Sequence, residues 1–95
     1  MLVTVEYEVI PEHVPEFIKA MHAYGRIRRR DGASRWGIYQ DVESASRFIE
    51  TFIVTSWAEH LRQHERITQA DRELEERLRN MVRNSPTVRH LLYAS

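Results

Sequence analysis

The chain has 95 residues, 42% of them hydrophobic and none of them cysteine, and its 14 Lys and Arg balance 14 Asp and Glu. That is the length of a single domain, residues 1–95, and its neutrality excludes a nucleic-acid binder working by bulk charge. The missing thiols exclude a disulfide-stapled secreted module and a cysteine-based metal site.

A domain this small buries only about 60–65% of the surface of its unfolded chain, so a second copy is the simplest source of further burial. No stretch approaches the roughly 20 apolar residues of a spanning helix, and Met1-Leu2-Val3-Thr4-Val5-Glu6 has no basic leader character. The expectation is a cytoplasmic protein without membrane insertion.

Residues 2–10 alternate, with Val3, Val5, Tyr7 and Val9 on one face and Thr4, Glu6 and Glu8 on the other. This predicts a half-buried strand that Pro11 stops. From Val14 the period changes: Val14, Phe17, Ile18, Met21, Tyr24 and Ile27 fall at helical spacing. Gly32 after Asp31 is a natural C-terminal cap. The local cluster Arg26, Arg28, Arg29 and Arg30, followed by Arg35, suits the negative end of that helix's dipole.

Residues 34–41 alternate again, Trp36 and Ile38 opposite Arg35 and Tyr39. Asp41 to Ser46 is a polar turn. A third strand over about 47–55 puts Phe48, Glu50, Phe52 and Val54 opposite Ile49, Thr51 and Ile53. Two largely apolar faces predict a central strand or one that meets a partner. Ser56-Trp57-Ala58-Glu59 reads as a capping box opening a helix to about Thr68. A further helix is predicted from Ala70 to Arg83, with Ala70, Leu74, Leu78 and Met81 on one stripe, and a last strand over 87–94.

The order β-α-β-β-α-α-β is a ferredoxin-like split βαβ plan. It predicts an α+β subunit with a four-stranded antiparallel sheet and its helices on one face. The bare face is expected to pack on that of a second subunit, forming a homodimer.

Among residues that could carry chemistry, His64 lies within the apolar stripe of the helix after Ser56, between Trp57 and Ile67, with His60 at the stripe's edge. A histidine so placed is either a core group or the wall of a cavity, where it could act as a general base. His60 and His64 also have metal-compatible spacing, but Leu61 stands where a zinc-protease helix has its Glu, so no metal is expected. Glu50 shares its strand face with Phe48, Phe52 and Val54 and must be paired with an arginine or serve as an acid in a pocket. Tyr7, Trp36, Phe52 and Tyr93 are candidates to line an aromatic site. Gly25, Gly32 and Gly37 are isolated, so there is no phosphate-cradling loop and no cofactor is expected.

The run Glu50-Thr51-Phe52-Ile53-Val54-Thr55-Ser56-Trp57, then Glu59-His60-Leu61 through His64, resembles the antibiotic biosynthesis monooxygenase-like group of dimeric α+β barrels. Val3-Thr4-Val5-Glu6-Tyr7, Arg28-Arg29-Arg30-Asp31-Gly32-Ala33, Arg35-Trp36-Gly37 and Trp57 through Arg66 are similar to a module at the C-terminal end of major-facilitator-type transporters, the transmembrane secretion effector or enterobactin-exporter-like proteins. The resemblance implies a dimeric barrel with a pocket in each subunit between sheet and helices. It carries over Trp57 and His64 as site residues. Haem-degrading relatives rely on an asparagine in the first strand, and residues 2–10 contain none.

The implied function is a cofactor-free monooxygenase-like protein acting on a small aromatic or polyketide-like metabolite. In that reading His64 and Glu50 are the catalytic pair, and Trp57, Tyr7, Trp36, Phe52, Tyr93 and His60 shape the pocket. The alternative is a non-catalytic small-molecule-binding or transporter-associated accessory module.

Overall fold

The computed structural model describes residues 1–56, 58 and 68–95. The first strand, β1 (Leu2–Glu8), buries Val3, Val5 and Tyr7 in strict alternation. It ends where Val9 leaves the ladder for an isolated bridge to Val82. A 3-10 turn at Pro11–His13 leads into helix α1 (Val14–Arg30), which has Pro15 in its first turn, where no intrahelical N–H bond is lost.

The C-terminus of α1 closes as the sequence predicts. Gly32 adopts φ 98°, its N–H donates to Arg29 O, and Ala33 N–H donates to Arg28 O. This is the left-handed Schellman ending, in which only glycine escapes a Cβ penalty.

Strands β2 (Ser34–Gln40) and β3 (Arg47–Ile53) form a hairpin whose register shifts between Ser34 and Gly37. Arg35 takes φ 52° within that irregularity. Asp41 holds the turn: its Oδ1 accepts from Glu43 N–H, and Gln40 Nε2 donates to Ala45 O. Helix α2 (Gln69–Asn80) follows, then β4 (Thr87–Leu91).

A capping box that the sequence reading missed opens α2: Thr68 Oγ1 accepts from Asp71 N–H, and Asp71 Oδ2 accepts from Thr68 N–H. The helix stops at Asn80 rather than Arg83. Val82 is drawn into its bridge with Val9, and Arg83 N–H donates to Glu8 O. The helix expected over 56–68 lies outside the described residues apart from its ends.

The four strands pair antiparallel in the order β2-β3-β1-β4, so β3 is indeed interior. Tyr7, Val5 and Val3 stand beside Phe48, Glu50 and Phe52, all on the face that carries α1 and α2. Phe17 of α1 fills the gap, 5.3 Å from the Tyr7 ring and 5.2 Å from that of Phe48. Met21, Leu74, Leu78 and Met81 complete the core, while Ala70, expected on the same stripe, is exposed and Asp71 is buried in its place.

On the opposite face Glu6 links three strands, 3.1 Å from Arg89 of β4 and 3.3 Å from Arg47 of β3.

The barrel expected from the resemblance is not present. The strand order ends at β2 on one side and β4 on the other, and these two edges do not pair, so the sheet is open. Four strands are too few to close around their own side chains; about eight are needed to enclose a packed interior. Among the described residues the architecture is a ferredoxin-like open sheet with two α-helices on one face.

Candidate binding site

Inward-facing alternation on β1 and β3 aims Tyr7 and Glu50 at the layer beneath the helices, with Val5 directly opposite Glu50 in the ladder. Glu50 is fully buried, with 0% of its surface exposed. Four hydrogen bonds compensate. Oε1 accepts from Tyr7 OH at 2.8 Å and from Arg28 Nη2 at 3.1 Å. Oε2 accepts from Arg28 Nε at 3.0 Å and from Trp36 Nε1 at 2.8 Å. Every partner is a donor, so the group sits as an accepting carboxylate with no acceptor left for a proton of its own. The arginine that the sequence left unidentified is Arg28, bound in the side-on, two-point fork that favours this pair.

Burial works against the charge on Arg28, but Glu50 more than offsets it and holds the guanidinium protonated beyond its already high ordinary range. The cation also packs 4.5 Å from the centroid of the Tyr24 ring and 4.6 Å from that of Phe52. Burial, reinforced by the adjacent Glu50 charge, pushes the Tyr7 phenol well above its ordinary value. Burial also pushes Tyr24 up to about 12, and its hydroxyl donates to Glu75 Oε1 at 3.0 Å, tying α1 to α2. Both tyrosines are therefore donors, not bases, at neutral pH.

Beside this network, between the helices and the β1–β4 half of the sheet, lies a cavity of about 410 Å³. That is within the range of small-molecule sites. Val3, Val5, Phe52, Leu78 and Val88 give it apolar walls. Tyr7, Tyr24, Arg28, Glu75, Arg79 and His90 supply its polar groups. Glu50 does not border the cavity but lies behind Tyr7 and Arg28.

Of the expected pocket residues, the structure therefore brings Tyr7 and Phe52 to the cavity. Trp36 does not line it; its Nε1 donates to Glu50 behind the cavity wall. Tyr93 is 95% exposed beyond the end of β4 and does not line the cavity. Trp57, His60 and His64 lie outside the described residues.

Arg28 is the principal site residue that the sequence reading did not single out. A signal was available: Phe17, Met21, Tyr24 and Arg28 share one helical face, so Arg28 belongs to the buried stripe rather than to the exposed arginine cluster. Among the described residues no group of three or more His, Asp or Glu side chains is arranged to hold a metal ion.

The fold is that of several solved structures. A putative antibiotic biosynthesis monooxygenase from Bordetella bronchiseptica superposes with TM-score 0.83 at 13% identity, covering 99% of this chain and 96% of that one. A point variant of SnoaB, a cofactor-independent oxygenase from Streptomyces nogalater, gives 0.79 at 11% identity, covering 98% and 93%. A NIPSNAP domain protein from Burkholderia xenovorans gives 0.76 at 20% identity, covering 100% and 96%. No curated protein matches the chain in sequence.

The family model described as transmembrane secretion effector matches residues 1–95. Among the described residues no helix is long and apolar enough to cross a membrane. The expected link to a transporter's C-terminal module is corrected accordingly, and what stands is the family match itself and the shared fold. By its match over residues 1–95 the chain belongs to the transmembrane secretion effector family, with the fold that it shares with the solved structures above.

Proposed function

We propose that this domain binds a small apolar, aromatic-sized molecule in the cavity between its helices and the β1–β4 half of its sheet. The observation that carries the reading is the cavity itself: about 410 Å³, apolar-walled, and set against the Glu50–Arg28 pair. The pair is held in place because both Glu50 oxygens are engaged, by Arg28, Tyr7 and Trp36, and it presents Arg28 while withholding Glu50. Glu50 is a positioning residue in this reading.

Calorimetric titration with naphthalene-sized probes tests it. Wild type is expected to bind with a negative heat-capacity change, the mark of apolar burial. Val88→Trp, which fills the cavity from the edge strand, is expected to fold and to lose binding. Equal binding by that variant overturns the assignment.

A second reading, cofactor-free oxygenation, draws support from the fold shared with SnoaB. Such chemistry needs a base and an electron-rich substrate whose carbanion or phenolate reduces dioxygen directly. His64, expected from the sequence as that base, is its candidate. Oxygen uptake with an anthrone-type substrate, lost in a folded His64→Ala protein, is the expected result; no uptake by wild type rejects it.

The bare sheet face supports a homodimer. Leu2, Ile49 and Ile53 sit there only partly covered, and Tyr39 and Leu91 are 60% and 44% exposed. Sedimentation at micromolar concentration is expected to show two copies, and a monomer there refutes it.

A further inference from the structure

Arg28 has five N–H donors in a planar fork, and Glu50 engages only two of them, one on Nε and one on Nη2. The other three, both on Nη1 and the second on Nη2, make no hydrogen bond among the described residues. Nη1 is not sealed away, since no described buried side-chain nitrogen or oxygen lacks a partner, and the Arg28 side chain lines the cavity with 16% of its surface exposed. The side-on edge is thus used for anchoring, and the end-on edge is left over at the cavity wall.

The other hydroxyl donors are committed: Tyr7 OH gives its proton to Glu50, and Tyr24 OH gives its proton to Glu75. The formal charges at the site cancel, Arg28 and Arg79 against Glu75 and the underlying Glu50. What the end-on edge of Arg28 lacks is therefore an acceptor, and the site has no excess formal positive charge to hold an anion.

Building on the small-molecule reading above, we propose that Arg28 is the residue that sets specificity, and that the ligand is an uncharged apolar molecule whose carbonyl oxygen accepts from the end-on edge of its guanidinium. Glu50 fixes that edge in place, and the Tyr24 and Phe52 rings pack against the cation, so the donors are preorganised before a ligand arrives.

Three probes on one frame test this in the wild-type protein: 2-acetylnaphthalene, 2-ethylnaphthalene and 2-naphthoate. The ketone is expected to bind about tenfold more tightly than the hydrocarbon, as one hydrogen bond to a charged donor allows. It is also expected to outbind the carboxylate. Equal binding of ketone and hydrocarbon overturns the role of Arg28 while leaving the cavity reading intact. Tighter binding of the carboxylate overturns the uncharged assignment. If none of the three binds, the cavity reading itself fails and the proposal with it.

Arg28→Lys keeps a cation for Glu50 but removes the fork, and is expected to erase the ketone preference without weakening 2-ethylnaphthalene. Retention of the full preference in that variant overturns the proposal. Should it not fold, the wild-type series still decides.

Discussion

The indole of Trp36 rests directly on the backbone of Gly25: a Cβ at residue 25 would stand 2.7 Å from Trp36 Cδ2 and Cε2. A glycine inside a helix costs about 1 kcal/mol relative to alanine, so intrinsic propensity alone favours Gly25→Ala. Here contact reverses the sign. The ring must move, overpacking of this kind costs about 1–3 kcal/mol, and Glu50 loses the Trp36 Nε1 donor. Gly25→Ala is expected to be destabilised by about 1 kcal/mol in urea unfolding, with the Trp36 indole N–H resonance moving toward its solvent-exposed position. An unshifted resonance or a stabilised protein contradicts this account.

Glu50→Gln replaces a buried carboxylate by an amide that turns N–H groups toward donors. Removing one partner of a buried pair costs about 3–5 kcal/mol, because the remaining charge is left uncompensated. The single variant is therefore expected to lose most of its folding stability. The triple variant Glu50→Leu, Arg28→Met, Tyr7→Phe removes the charges and hydroxyl together and is expected to recover most of that loss. Trp36 is only partly buried, so its N–H turns to water. Denaturant melts of wild type, of each single change and of the triple variant measure the coupling, and simple additivity of the single changes refutes it.

These two sites also show what the sequence could and could not disclose. The alternation around Tyr7 and Glu50 is local, so their shared inward face was legible, as was the need of Glu50 for a partner. Gly32 was legible because a positive φ at a helix end is a local demand. The Thr68-Gln69-Ala70-Asp71 spacing carried a capping-box signal that went unread. Arg28 was obscured by its neighbours: in a run of arginines, composition points to the helix dipole, and only the helical period separates the buried member from the exposed ones. The Gly25–Trp36 contact joins α1 to β2 through tertiary packing, which no periodicity encodes. The open sheet was misjudged because the barrel came from resemblance and not from any pattern in the strands.

The phenols of Tyr7 and Tyr24 set an alkaline limit on the fold. Both have pKa values raised by burial, Tyr24 to about 12, whereas in the unfolded chain each loses its proton near 10. Protons are thus held more tightly by the folded state. The resulting stability is complete below about pH 10 and falls as pH rises through the folded values. Unfolding free energy is expected to decline between about pH 10 and 12 in wild type and to decline less steeply in Tyr24→Phe. Equal slopes refute the assignment.

At the acid end the corresponding group is Asp71. Its hydrogen bond from Arg30, at 2.7 Å, is the main cause of a lowered pKa; burial opposes it, and the bonds from Thr68 add to it. Asp71 therefore joins the end of α1 to the start of α2 while serving in the capping box. With the folded value below the unfolded one near 4, its contribution is present in full above about pH 5 and is lost as pH falls through the folded value. Asp71→Asn can still accept from Thr68 N–H but carries no charge for Arg30. It is expected to be less stable than wild type at pH 7, with the gap closing as pH drops below about 4. Thr68→Ala removes only the cap, costs about 1 kcal/mol, and is expected to show a gap that is less dependent on pH. Urea melts of the three proteins at pH 3, 5 and 7 separate the two roles, and a gap for Asp71→Asn that widens toward acid contradicts the assignment.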